Sequence, residues 1–294
     1  MCQGVKKAMS ISVKNLKYVY SENGPFERTA LNNISFEIND GEFVGIIGHT
    51  GSGKSTLIEH LNGLLKPTEG NIIIDGEDIT AKDCDLRKLR AKVGLVFQYP
   101  EYQLFEETVY KDIAYGPGNL GLSDTEINRR VHEAMSFVGL DENLLDKSPF
   151  DLSGGQKRRV AIAGVIAMNP SVLILDEPTA GLDPAGRNEL LSRLKLLHEV
   201  KNTTIILVSH SMEEIARTVN KVMVLSKGSL VAYDTVSEIF EDNLFLESIG
   251  LDVPQICTLT HKLNDMGINI PKNMYNTEEV ADAIYSIIKG AQNV

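Results

Sequence analysis

The chain contains no apolar run approaching the roughly 18–20 residues that a bilayer-crossing helix requires, so no transmembrane pass is expected. Its opening residues, MCQGVKKAMS, hold no apolar stretch of secretory type. They read as an N-terminal tail (1–10), with Met9 as the expected native start. Cysteine is scarce. Cys2, Cys84 and Cys257 are odd in number, lie far apart and form no CxxC pair, which excludes a disulfide framework and fits a reducing cytoplasm. Basic residues are in deficit, 29 Lys and Arg against 40 Asp and Glu, and the net charge of −11 disfavours broad nucleic-acid binding. Long repeats and low-complexity tracts are also missing. What is present is an ordinary globular composition, 43% hydrophobic and 23% charged over 294 residues, enough for one large domain or two modest ones.

Residues 11–47 alternate as strands do. ISVKNLKYVY, a turn at Gly24–Pro25, TALNNISFEI and a tight turn at Asp40–Gly41 lead into the apolar EFVGIIG. NIIIDGEDI predicts a hairpin turning at Asp75–Gly76. An antiparallel β-layer is therefore expected beside the first core strand. VGLVFQ (93–98), VLILDE (172–177) and TIILVSH (204–210) are short, apolar and separated by helical segments, which predicts a parallel α/β core. VMVLSKGSLVAYD (222–234) reads as a closing hairpin. Residues 99–153 read as mostly helical and define a helical subdomain of about 99–165. From about 238 the pattern is helical and peripheral.

GHTGSGKST spans Gly48 to Thr56 and matches GxxxxGK[ST] between an apolar strand and the helix STLIEHLNGLL. Glycines Gly48, Gly51 and Gly53 let backbone amides turn toward phosphates, and the helix N-terminus adds partial positive charge. Lys54 is expected on the β- and γ-phosphates, Ser55 on Mg²⁺, and Thr56 on phosphate. His49, Thr50 and Ser52 complete the loop, His49 as a spacer rather than a catalytic group. VLILD supplies a second Mg²⁺ ligand in Asp176. Glu177 follows, placed to orient or deprotonate an attacking water. Loop and carboxylates together point to nucleotide hydrolysis.

A second anion element lies about a hundred residues further on. Ser153, Gly154, Gly155 and Gln156 precede the amphipathic KRRVAIAGVIA. They lack a lysine and a magnesium ligand, so they cannot complete a nucleotide site alone. Completion in trans is the economical solution: two chains face head to tail, each lending SGGQ to the other's phosphate loop.

This set of motifs over residues 11 to about 240 resembles the ATP-binding cassette (ABC) ATPases. The resemblance implies an ABC-type P-loop α/β core with an antiparallel β-subdomain, a helical subdomain, and ATP and Mg²⁺ as cofactors. It implies that Gln98 senses Mg²⁺ and the attacking water, that Asp183 of AGLD touches the opposite site, and that His210 contacts the γ-phosphate. It matches Tyr20 to the aromatic that stacks on adenine, with Tyr18 as the fallback. For each taken singly, an ordinary strand tyrosine or a satisfied core histidine is the plainer account; their joint order is not.

GHTGSGKSTLIEHLNGLLKPTEG, FQYPEYQLFEETVYKDIAYGP and DEPTAGLDPAGR are similar to the ATPases of energy-coupling factor (ECF) transporters, the last most like their second paralogue. That resemblance implies a vitamin or metal importer at the cytoplasmic face of the membrane. It implies a second cassette, identical or paralogous, a transmembrane coupling subunit and a substrate-binding membrane subunit. PEYQLFEET is then expected to meet the coupling subunit, or else to be a solvated loop with Tyr102 and Phe105 packed inward. Another ABC transporter class is the alternative. DNA-repair cassettes carry long coiled coils, and ribosome-associated ones carry two cassettes per chain; this sequence has neither.

Residues 241–294 exceed what a cassette requires. Pro254 reads as a first helical position, with Ile256, Leu259, Leu263 and Met266 on one face. Asn276 and Glu279 suggest a capping box. Val280, Ala283, Ile284, Ile287 and Ile288 form a second stripe, with Gly290 as C-cap. These stripes are expected to pack on the chain's own cassette or, as the ECF resemblance favours, partly on the partner's tail as a dimerisation extension.

Overall fold

The computed structural model describes residues 10–271 and 273–291, so the expectations for Cys2 and Met9 lie outside the described residues. Strands β1 (Ser10–Tyr20) and β2 (Arg28–Asn39) pair antiparallel, and β3 (Phe43–Ile47) then leaves them for a second sheet. Strands β4 (Glu69–Ile74) and β5 (Glu77–Asp78) complete a four-stranded antiparallel layer in the order β2-β1-β4-β5. The turn between them has φ of 55° at Asp75 and 75° at Gly76, as a two-residue hairpin with two left-handed positions demands.

The second sheet carries β6 (Val93–Val96), β7 (Val172–Asp176), β8 (Thr204–Val208), β9 (Lys221–Ser226) and β10 (Ser229–Thr235), in the order β10-β9-β3-β8-β7-β6. All its pairs are parallel except the closing β9–β10 hairpin. Every residue of β3, β7 and β8 is buried, because both faces of the sheet are covered. Val44, Ile46, Val172, Ile174, Ile206 and Val208 face the antiparallel layer together with Leu57, Ile58 and Leu61 of helix α1 (Lys54–Leu61). Their strand neighbours Phe43, Ile47, Leu173, Leu175, Ile205 and Leu207 face the opposite cluster.

A short helix, α2 (Leu86–Lys92), leads into β6. Between β6 and β7 the chain leaves the sheet as α3 (Val109–Asn119), α4 (Asp124–Val138) and α5 (Gly154–Ala167). Thr108, Ser123 and Ser153 cap them, each accepting from a backbone N–H in the first turn. Val109, Ile113, Val131, Met135, Val160 and Ala163 fill the space among them. Helices α6 (Pro184–Lys201) and α7 (Met212–Thr218) cover the same side of the sheet.

The C-terminal region forms α8 (Val236–Glu241), α9 (Asn243–Ser248), α10 (Gln255–Asp265) and α11 (Thr277–Ala291). Its details correct the sequence reading. On α10 the buried residues are Ile256, Cys257 and Thr260, whereas Leu259 and Met266 are exposed. Ile256 and Leu263 of the expected stripe do pack inward, and Thr260 joins the buried face with its hydroxyl satisfied internally on Cys257 O at 2.9 Å. Pro254 is the N-cap rather than the first helical residue. On α11 Val280 is buried, but Ile287 and Ile288 are exposed. Gly290 lies within the helix, which runs on to Ala291. Asn276 does cap α11, its side chain accepting from Glu278 N at 3.1 Å.

Candidate active site

The strand β3 ends at a loop that left-handed glycines bend around a hollow. Gly53, at φ 105°, is the N-cap of α1, and a Cβ there would lie 2.8 Å from Ala30 O. Lys54 therefore begins the helix with its chain folded back into the loop. Its Nζ donates to Gly48 O at 2.5 Å and His49 O at 3.0 Å. Burial lowers its pKa, and the carboxylates of Glu177 and Asp176 oppose that.

Strand β7 delivers Asp176 and Glu177 to the same hollow. Ser55 Oγ donates to Asp176 Oδ2 at 3.2 Å. Burial raises the Asp176 pKa, against the bond from Ser55. Glu177 adopts φ 50°, in the left-handed region that few non-glycine residues occupy. Its amide donates to Val208 O at 3.0 Å, which locks it to the end of β8. Burial pushes its carboxyl up to about 7; Asp176 and Glu214 add to this, while the His210 amide and Lys54 oppose it. Its Oε1 is buried without a hydrogen bond and lies 3.3 Å from His210 Nε2. Burial, and then Lys54, lower the His210 pKa, which favours the neutral ring.

One cleft thus collects Tyr20, Thr50, Gly51, Gly53, Lys54, Ser55, Thr56, Gln98, Asp176, Glu177 and His210. Tyr20 OH sits 3.2 Å from Thr56 Oγ1 at the rim. Tyr18 does not line the cleft; it packs edge-on against Tyr20 at 4.8 Å and His60 at 4.6 Å, and so supports Tyr20 from behind. Arg28 and Ala30 also line the cleft and were missed. Arg28 pairs with Tyr20 in the β1–β2 register, a long-range fact that no local motif announces.

His49 and Ser52 turn the other way. They line a crevice with Lys227 and Ile249, where His49 Nε2 lies 2.5 Å from Ile249 O. Ser153 and Gln156 form a reciprocal cap: Gln156 N donates to Ser153 Oγ at 3.3 Å and Ser153 N to Gln156 Oε1 at 3.0 Å. Gly154 and Gly155 open α5 above them. Asp183 caps α6, accepting from Gly186 N at 2.6 Å. Ser153, Gly155, Gln156 and Asp183 share an open groove, and none of them lines the Lys54 cleft.

A lysine-bearing loop, a buried strand-end Asp–Glu pair and a separate serine–glycine helix start define an ATPase of the ABC class. Comparison agrees. The family model described as ABC transporter matches residues 31–180. The energy-coupling factor transporter ATP-binding protein EcfA2 of Clostridium perfringens is 57% identical over 96% of this chain and 99% of its own. The protein of that name from Caldanaerobacter subterraneus is 55% identical over 97% and 100%. A solved cbiO1 from Clostridium perfringens, described as part of the ABC transporter complex cbiONQ, superposes with TM-score 0.73 at 39% identity over 85% of this chain and 98% of that one. A dimeric MJ0796 cassette bound to ADP and phosphate gives 0.69 at 32% identity, over 77% and 98%. The chain belongs to the ATP-binding subunits of energy-coupling factor transporters. Among the described residues no helix is long and apolar enough to cross a membrane.

Proposed function

We propose that the chain hydrolyses MgATP at sites shared with a second cassette, and so drives uptake of a vitamin or metal micronutrient through membrane partners. The carrying observation is the separation just described. The Ser153–Asp183 groove, lined also by Lys147 and Arg159, has a helix start but neither the phosphate loop nor the Asp176–Glu177 pair, while the Lys54 cleft is open and holds no SGGQ residue of its own chain. In a head-to-tail pair each groove covers the other chain's cleft.

Within the cleft, Lys54 takes the β- and γ-phosphates, Tyr20 the adenine, and Glu177 the proton of the attacking water. His210 holds the γ-phosphate. Ser55 Oγ and Asp176 Oδ2, 3.2 Å apart, are hard oxygen donors of the kind Mg²⁺ takes. With Gln98 beside them they would hold Mg²⁺, which neutralises phosphate charge when bound. Residues 11–240 form the ATPase domain, with the helical subdomain at about 99–165, and residues 241–294 the dimerisation extension. Tyr99 and Tyr102, just after Gln98 in the chain, and the edge-on pair Phe105–Tyr115 are exposed and offer an apolar face to a transmembrane coupling subunit. The inward placement of Tyr102 and Phe105 is thereby set aside. A peripheral position at the cytoplasmic face of the cell membrane follows, with a substrate-binding membrane subunit setting the cargo.

Mixing a Ser153→Arg chain with a Lys54→Ala chain tests the shared site. One interface of the mixed pair escapes both lesions, so ATPase activity should return. If each chain holds a whole site, both sites are dead and mixing restores nothing.

A further inference from the structure

Glu214, on the first turn of α7, is 7% exposed and does not line the Lys54 cleft. One of its oxygens, Oε2, accepts from Thr179 Oγ1 at 2.8 Å and from Ser209 Oγ at 2.9 Å. The other, Oε1, lies 3.3 Å from Arg187 Nε. Thr179 and Ser209 are themselves 3% and 1% exposed.

The three partners sit on three different segments. Thr179 follows Glu177 by two residues and leads into the loop bearing Asp183. Leu182 N donates to Thr179 O at 3.1 Å, so this loop is built on Thr179. Arg187 is on the first turn of α6, which Asp183 caps, and its Nη2 reaches Leu182 O at 3.4 Å. Ser209 immediately precedes His210, and its Oγ also accepts from Ser211 N at 3.1 Å. A buried carboxylate with two hydroxyl donors and a guanidinium 3.3 Å away is well supplied; without it both hydroxyls would lose their acceptor and Arg187 its charge partner.

We propose that Glu214 is a positioning residue that fixes the Asp183 loop to the His210 loop, so that the group acting on the chain's own γ-phosphate and the group reaching the partner's site keep one relative placement. Asp183 acting across the dimer rests on the shared-site reading above. Glu214 itself touches no nucleotide. It acts through Thr179 and Arg187 on one side and Ser209 on the other. A shift at His210 is thereby carried to Asp183 through two hydrogen bonds to one oxygen atom.

The test uses the assembled ATPase pair. Glu214→Gln keeps the shape and weakens the hold on Arg187. Thr179→Val removes one donor isosterically, and it serves as the second variant should Glu214→Gln fold poorly. Expected are a tenfold or greater loss of kcat, an ATP KM within about twofold of wild type, and an unchanged binding constant for a fluorescent ATP analogue. The double variant should lose little more than either single one, since both loosen the same tie between the two loops at the Glu214 carboxylate. A KM that rises with the loss of kcat, or fully multiplicative single effects, overturns the proposal.

A trans measurement separates this from the shared-site reading. In a chain already carrying Lys54→Ala, Thr179→Val should further slow hydrolysis at the partner's intact phosphate loop, as Ser153→Arg must. If Ser153→Arg slows it and Thr179→Val does not, Glu214 does not reach across the pair and the proposal fails alone. If neither does, the shared-site reading falls and takes the proposal with it.

Discussion

Glu101 accepts two bonds from the Arg158 guanidinium, from Nε at 3.0 Å and Nη2 at 2.8 Å. The arginine side chain is 3% exposed and the glutamate 18%. Arg158 also stands over the Tyr99 ring, 5.7 Å from its centroid. The pair joins the turn after Gln98 to the helix that Ser153 starts. It also removes Glu101 from the acids available to a membrane partner.

Glu101→Gln should therefore act on stability first. It leaves a buried guanidinium without its charge partner, a loss of about 3 kcal/mol. Urea unfolding should show the midpoint falling with an unchanged slope. Tyr102→Ala, at a residue 86% exposed, should leave that midpoint alone and weaken assembly with the membrane subunits instead. Equal midpoints for wild type and Glu101→Gln would count against the pair as a structural tie.

Glu177→Gln should bind ATP normally and turn over about 10²–10⁴ times more slowly, the usual worth of a general base. Lys54 and Ser55 remain to hold the phosphates. Single-turnover hydrolysis with radiolabelled ATP decides it, and near-normal turnover would remove Glu177 from the role.

The same residue predicts a pH dependence of nucleotide-free stability. Burial raises the Glu177 carboxyl from 4.5 to about 7 in the folded chain. The folded form therefore holds this proton more tightly than the unfolded one. Its stabilising effect is complete below pH 4.5 and is lost as pH rises through 7. Glu177→Gln carries no such proton, so its stability advantage over wild type should grow between pH 5 and pH 8, on the order of 1–3 kcal/mol. Thermal melts at the two pH values give the difference, and a constant gap would contradict it.

Arg28 has no acidic side chain within salt-bridge distance among the described residues and lines the phosphate cleft beside Gly51. Arg28→Ala should weaken ATP binding about three- to tenfold, roughly the worth of one charged contact at an exposed rim. AMP binding should change less, since AMP lacks the outer phosphates. Titration calorimetry with both nucleotides checks this.

The tail is better tested by its outer face than by its removal. Val236, Ile239 and Phe240 share a cluster with Ile256, Ile270 and Val280, so truncation after about residue 242 would strip cover from the cassette itself. Ile288→Asp, at a residue 53% exposed, leaves that cluster intact. It should abolish nucleotide-free pairing while sparing ATP binding. Sedimentation without ATP showing undiminished pairing would leave the tail with its intramolecular role alone.

Much of this was legible in the chain. The strands EFVGIIG, VLILD and TIILV are apolar because both their faces are covered, and the loop GHTGSGKST bends where its glycines stand. Other features resisted for a common reason. Glu101 and Arg158 are 57 residues apart, and nothing local distinguishes Glu101 from a solvated acid. Arg28 reaches the cleft only through its register with Tyr20. Of the expected α10 stripe Ile256 and Leu263 pack inward while Leu259 and the C-cap Met266 stay exposed, and the buried face extends to Cys257 and Thr260, a threonine that bonds its own helix and can be buried at little cost.

Consecutive residues of β3, β7 and β8 point into opposite hydrophobic clusters. Each strand is thus a shared wall. Opening the helical side would strip the ladders that also bound the antiparallel side, and the reverse holds equally. The central amides should consequently exchange with deuterium at one common, slow rate set by global unfolding. Those of α11, with Ile287 and Ile288 turned to solvent, should exchange early through local opening. A destabilising change anywhere in the sheet is then felt on both of its sides at once.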